Sequence, residues 1–188
     1  MTFVRTFVAV LLADELKSRI SEVQEQAKKL APDVKWVEPE NFHITLKFLG
    51  NVREDALAGV LSAVEDAVKD YQKFEVSVAG VGAFPNPKNA RVVWVGVESG
   101  QERLASLAAT IDAKLAELGF PREERDFKSH ITIGRVKSKK HLGALARGIA
   151  KIEARSLGTQ EVRSVAVMQS VLRPEGPVYS PLRVIELS

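Results

Sequence analysis

Asn41-Phe42-His43-Ile44-Thr45-Leu46-Lys47-Phe48-Leu49-Gly50 is the stretch on which the fold turns, and its centre returns in the second half of the chain as His130-Ile131-Thr132-Ile133. In an extended strand successive side chains point to opposite faces. Phe42, Ile44, Leu46 and Phe48 then make an apolar face, and His43, Thr45 and Lys47 a chemical one. His43 and Thr45 project together, roughly 6 to 7 Å apart along the backbone. His130 and Thr132, with Ile131 and Ile133 behind them, repeat the arrangement. The two copies use two of only three histidines, in a chain with 6 threonines among 188 residues. Chance would place Thr two positions after both with a likelihood on the order of a few in a thousand.

Working outward, the same element order surrounds each copy. Phe3 to Leu12 reads as a strand, and Asp14 to Leu30 as a helix whose Leu16, Ile20, Val23, Ala27 and Leu30 share one face. Pro32 stops it. After the first motif strand, Asn51-Val52-Arg53-Glu54 reads as a capping box opening a helix with Leu57, Val60, Leu61, Val64 and Val68 inward. Phe74, Val76 and Val78 give a strand, Gly80 to Asn89 a loop, and Arg91 to Val97 a strand. Leu104, Leu107, Ile111, Leu115 and Leu118 mark a helix closed by Gly119. Phe127 to Val136 is the second motif strand, Leu142 to Ile152 a shorter helix, and Gln160 to Leu172 and Leu182 to Leu187 the last strands. No flexible linker interrupts residues 1–188, so a single domain of two similar lobes is expected, with one motif from each lobe facing a shared cleft.

Composition narrows the chemistry. Hydrophobic residues make up 45% and charged residues 27%, the balance of a soluble globular protein. No apolar run reaches the roughly 18 residues of a membrane span, and Met1-Thr2-Phe3-Val4-Arg5 has none of the features of a secretory signal, so no membrane association and a cytoplasmic location are expected. The absence of Cys removes disulfides, thiolate metal sites and a Cys nucleophile. A net charge of +3 suits an anionic substrate but is not a dense basic stripe. The cluster Lys137, Lys139 and Lys140 reads equally as a solvated turn or as a groove for a nucleotide chain.

Histidine exchanges protons near neutrality because its ordinary pKa is about 6.5. Two of them suit in-line displacement at phosphorus, one taking a proton from the attacking water and the other protonating the departing oxygen. Thr45 and Thr132 can donate to the non-bridging oxygens, where charge accumulates. No metal or other cofactor is needed. Two histidines fall short of a zinc ligand set, no G-x-S-x-G elbow is present, and Gly80-Val81-Gly82 lacks the rest of a dinucleotide or P-loop fingerprint and reads as a turn. His141 has no Thr partner and is expected to face solvent. Lys47 shares the phase of His43 and either faces the phosphate or is simply exposed. Arg135 falls out of phase with His130, so only a bulge or the strand end after Gly134 would bring it inward. Trp36, Trp94, Phe48 and Phe84 read as core residues.

Paired His-x-Thr-hydrophobic motifs in a chain of this size resemble the two-histidine (2H) phosphoesterase superfamily. The surroundings are similar to its RNA 2′,3′-cyclic phosphodiesterase branch, historically called 2′-5′ RNA ligase. Carrying that resemblance are Arg5-Thr6-Phe7-Val8-Ala9, Asn41 to Gly50, Gly82-Ala83-Phe84-Pro85 with Arg91-Val92-Val93-Trp94, His130-Ile131-Thr132-Ile133-Gly134-Arg135, and Ser170 to Leu182 with Gly176 and Tyr179. The resemblance implies an α+β, bilobal fold, two pseudo-twofold-related lobes of antiparallel sheet with outer helices around a central cleft. It implies hydrolysis of an RNA 2′,3′-cyclic phosphate end to a 2′-phosphomonoester, with His43 as proton donor, His130 as proton acceptor, Thr45 and Thr132 holding the phosphate and Arg135 assisting. The partner would be an RNA or oligonucleotide with a cyclic phosphate end, with no obligate protein partner. The reverse joining to a 5′ hydroxyl uses the same groups, and the sequence does not choose a direction. The same residues also fit a noncatalytic RNA-end-binding module, or a phosphodiesterase for another small cyclic phosphate such as an ADP-ribose derivative.

Overall fold

In a computed structural model that describes residues 1–188, the two motifs lie on neighbouring strands at the middle of a nine-stranded sheet. The elements are β1 (Phe3–Leu11), α1 (Asp14–Leu30), β2 (Lys35–Trp36), β3 (His43–Arg53), α2 (Leu57–Val68), β4 (Phe74–Phe84), β5 (Val92–Ser99), α3 (Gln101–Ala116), β6 (His130–Arg135), α4 (Leu142–Ile149), β7 (Gly158–Val162), β8 (Ser164–Arg173) and β9 (Gly176–Glu186). The strands run in the order β7-β4-β5-β6-β3-β1-β8-β9, with β2 added on β6 and every pairing antiparallel.

From the centre outward, β3-β1-β8-β9 and β6-β5-β4-β7 are two lobes. The runs β1-α1-β3-α2 and β5-α3-β6-α4 correspond, and the helices pack crosswise, α2 against α3 and α1 against α4. Ile44 opposite Ile131 is the single paired position between β3 and β6, so the pseudo-twofold axis passes beside it. The second lobe is continuous from β4 to β7, whereas the first is completed only when β8 returns to pair with β1. One apolar core runs under both lobes, including Ile20, Ile44, Leu104, Ile111 and Ile131. Each such fully buried aliphatic chain contributes about 1.5–3 kcal/mol.

Bulges depart from simple alternation. On β3, Phe7 of β1 faces Phe48, Val8 faces Lys47 and Ala9 faces Thr45, leaving Leu46 as an extra residue. An extra residue inverts the faces beyond it. Lys47 therefore enters the core at 8% exposure and Phe48 emerges at 52%, the reverse of the alternating reading. The capping box does not form, because β1 keeps pairing with β3 through Phe3 opposite Arg53 and holds Asn51 in the strand. A 3-10 turn, Glu54–Ala56, leads into α2 without a side-chain cap. Gln160 to Leu172 divides at Arg163, where the chain leaves β4's edge for β1.

The segment from Gly80 to Phe84 is strand rather than loop, with a bulge between Val78 and Val81 where Gly80 takes φ +83°. Gly82 lies under the Trp94 ring, and a Cβ there would fall 2.4 Å from Trp94 Cζ2. Gly82→Ala is expected to lower stability by about 1–3 kcal/mol through overpacking, read as a fall in thermal unfolding temperature.

Candidate active site

His43 begins β3, and its Nδ1–H donates to the Asn41 carbonyl at 2.7 Å. His130 begins β6 and makes the same bond to the Lys128 carbonyl, also at 2.7 Å. A carbonyl only accepts, so each neutral ring carries its proton on Nδ1 and presents the Nε2 lone pair. Thr45 Oγ1 donates to His43 Nε2 at 2.9 Å. Antiparallel register about Ile44 and Ile131 sets His43 across from Thr132 and Thr45 across from His130. The four side chains thus form a twofold-related square on one face of the sheet.

Aromatic rings hold the imidazoles. Between ring centroids, His43 lies 5.0 Å from Phe7 and 5.5 Å from Tyr179, nearly perpendicular to the latter, and His130 lies 5.0 Å from Phe84, also nearly perpendicular. Burial pushes the His43 imidazole below its ordinary value; the bond to Asn41 opposes this, and the charges of Arg135, His130 and Lys17 add to it. Burial lowers His130 as well, against its bond to Lys128 and with help from Arg135. Burial raises the Tyr179 hydroxyl, and Arg135 and Arg5 oppose that rise. The guanidinium of Arg135 thus acts on both histidines and Tyr179 at once.

Arg135 reaches this face through a bulge. Val93 faces Gly134 and Trp94 faces Thr132, which leaves Ile133 as an extra residue on β6. Ile133 and Gly134 are both buried and Arg135 is exposed, with its charge acting on His43 and His130. It makes no ion pair, unlike Arg122 and Arg183, so its charge is free for an anion. Lys47, in contrast, lies in the core, donating to Asp112 Oδ1 at 2.6 Å and the Pro121 carbonyl at 2.7 Å. The matching position on β3 to Arg135 is Phe48, whose ring lies 4.7 Å from the Arg5 guanidinium.

A groove of about 1160 Å³ opens from His130 across the second lobe, lined by Gly82, Phe84, Trp94, Lys128 and Arg155 among others. Trp94 and Phe84 stack 5.3 Å apart along it, and Lys128 Nζ stands 5.9 Å from the Phe84 ring. These two aromatics serve the cleft face rather than the core proper. Phe7, Tyr179 and the Lys128 carbonyl have no individual signal in the sequence. Phe7 and Tyr179 are marked there only by membership of segments that resemble the family.

Two consecutive segments, 10–94 and 95–179, match the model of the LigT-like phosphoesterases. The chain belongs to this family. The division at Val95 falls inside β5, the first strand of the second motif-bearing run, so each matched segment contains one motif. Among relatives of this LigT-like protein, the RNA 2′,3′-cyclic phosphodiesterase of Archaeoglobus fulgidus is 43% identical over 97% of this chain and 99% of its own. That of Methanothermobacter thermautotrophicus is 40% identical over 98% of this chain and 99% of its own. A crystal structure of a Thermus thermophilus protein superposes with a TM-score of 0.81 at 28% identity, covering 97% of each chain.

Elsewhere on this LigT-like phosphoesterase, His141 is not simply solvated. Its Nδ1 and the Ser138 hydroxyl both bond the Asp33 carboxylate, at 2.5 and 2.6 Å, which ties the lysine-rich turn to the end of α1. No three His, Asp or Glu side chains converge. No helix is long and apolar enough to cross a membrane.

Proposed function

We propose that residues 1–188 act as one unit that hydrolyses 2′,3′-cyclic phosphate ends of RNA or oligonucleotides to 2′-phosphomonoesters. One observation carries this reading: two imidazoles on adjacent strands, each fixed through Nδ1 to a carbonyl two residues earlier, with Nε2 left for chemistry. His130 Nε2 takes a proton from water as the water oxygen bonds phosphorus. The bond from phosphorus to the 3′ oxygen breaks, and protonated His43 gives its Nε2 proton to that oxygen. Protonation of His43 also releases the Thr45 hydroxyl to donate, with Thr132 and Arg135, to the phosphate oxygens. The names of the relatives support the substrate class, and the aromatic and cationic groove beside His130 supports a nucleotide chain.

The decisive assay incubates an oligonucleotide ending in a 2′,3′-cyclic phosphate with the protein in chelator and identifies the product. A 2′-phosphomonoester is expected. A 3′-phosphomonoester, or an intact cyclic end bound tightly over long incubation, overturns the reading, the latter in favour of an RNA-end-binding module. Equal turnover of an ADP-ribose cyclic phosphate would redirect the substrate.

The pH dependence follows from the two lowered imidazoles. Hydrolysis needs one neutral and one protonated ring, so kcat/KM is bell-shaped. As pH rises through the lowered value of the acid, His43 loses its proton and rate falls. As pH drops through the lowered value of the base, His130 is protonated and rate falls again. The optimum is therefore expected on the acid side of the ordinary imidazole value of about 6.5. A rate profile still rising above neutrality contradicts it.

A further inference from the structure

Gln24 stands on the buried stripe of α1 among Leu16, Ile20, Val23 and Ala27, at 0% exposure. A polar group so placed requires a reason. Its Nε2 donates to the Ile133 carbonyl at 2.9 Å and to the Val37 carbonyl at 2.6 Å, and only the amide NH2 can serve two carbonyls. Ile133 is the extra residue of the β6 bulge against β5, and its carbonyl points to the opposite edge, where it accepts from Gln24 and, in continuation of the β2 register, from Val37 N at 2.9 Å, so the bulge is braced from the side away from β5. Beside it, Trp36 packs on Gly134, where a Cβ would fall 2.7 Å from the ring.

We propose that Gln24 is a positioning residue that holds the β6 bulge open and so keeps Arg135 turned toward the anion in the cleft. Without the bulge, alternation sends residue 135 to the core side and residue 134 to the cleft. The pseudo-twofold repeats the device independently. α3 corresponds to α1, and its buried Asp112 engages Lys47, next to the β3 bulge at Leu46. Each lobe's helix thus sends one buried polar side chain to the bulge on the other lobe's motif strand. Gln24 touches neither substrate nor the histidines, and it acts through Arg135.

The inference rests on the cleft binding a phosphate anion, and its test is separable from turnover. Inorganic phosphate affinity is measured by calorimetry for the wild type, Gln24→Met, Arg135→Ala and the double variant, alongside hydrolysis of 2′,3′-cyclic AMP. Arg135→Ala is expected to weaken phosphate about 10- to 100-fold, the scale of a charged hydrogen bond. Gln24→Met is expected to weaken it about 5- to 10-fold, but less than about twofold when Arg135 is already Ala, because the two act in series. A purely structural role predicts equal losses in both backgrounds and overturns the proposal, as does unchanged affinity in Gln24→Met. Methionine keeps the length of glutamine and removes the Oε1 atom that has no partner, which favours folding. Should that variant not fold, Gln24→Leu, apolar and without any donor or charge, is read by the same comparison. Phosphate binding without turnover counts against the catalytic reading alone, and no phosphate binding by the wild type overturns both.

Discussion

Replacing His43 or His130 by Ala is expected to lower kcat for a cyclic-phosphate-ended oligonucleotide by about a hundredfold to ten-thousandfold. Each ring is committed to a single proton transfer, and nothing adjacent can substitute for it. The Thr45 and Thr132 hydroxyls beside the rings can donate and accept hydrogen bonds but do not exchange a proton near neutrality. KM should move far less, because Arg135 and the groove beside His130 are untouched. Because the two rings act on one transition state, the double variant should be little slower than the worse single one. Steady-state kinetics beside thermal unfolding checks this, since each ring packs on one lobe's face and its loss should leave the sheet intact. Full turnover by either folded single variant removes the proposed mechanism.

The second large effect is on stability. Lys47 and Asp112, each 8% exposed, form a buried ion pair joined by Arg122 Nε at 2.8 Å and by the Glu123 backbone N–H. Burial alone would raise the Asp112 carboxyl, but bonds from Lys47 and Arg122 outweigh it and hold it below the usual carboxylate value. Lys47→Ala leaves that carboxylate without its closest partner and should cost about 3–5 kcal/mol. For a chain of this length the unfolding temperature should fall on the order of 10 °C. Replacing both partners, Lys47→Met with Asp112→Leu, should recover much of the loss, because no uncompensated charge remains. A Lys47→Ala protein within about 0.5 kcal/mol of wild type in denaturant titration would show that the pair contributes nothing net.

The same lysine marks the limit of reading from sequence. Phe42 to Leu46 alternate as the pattern says, and Ile44 is fully buried while His43 and Thr45 face the cleft. One residue later the rule fails, because whether a strand carries a bulge depends on its neighbours' register and not on its own residues. Alternation accordingly puts Lys47 and Phe48 on the wrong faces. For Arg135 the same device works the other way: alternation sends it inward, and the bulge at Ile133, which the sequence offers only as a condition, turns it out. The missed continuation of β3 through Asn51 has a similar cause, since a capping box and a strand end compete for the same residues and β1 supplies the deciding backbone partners.

Local periodicity was enough to give the succession of helices and strands and most of the inward helix positions, and the duplicated His-x-Thr pattern singled out the two histidines proposed as acid and base, because these depend on side-chain spacing within one element; the α+β class followed from the resemblance that the motifs carry. Tertiary structure alone decided which strands meet at Ile44 and Ile131, which lobe is hollow beside its histidine, and that Gln24, Asp112 and two bulges aim the residues beyond the motifs. Those outcomes depend on hydrogen-bond partners far away in the chain, and no window of sequence contains both members of such a pair.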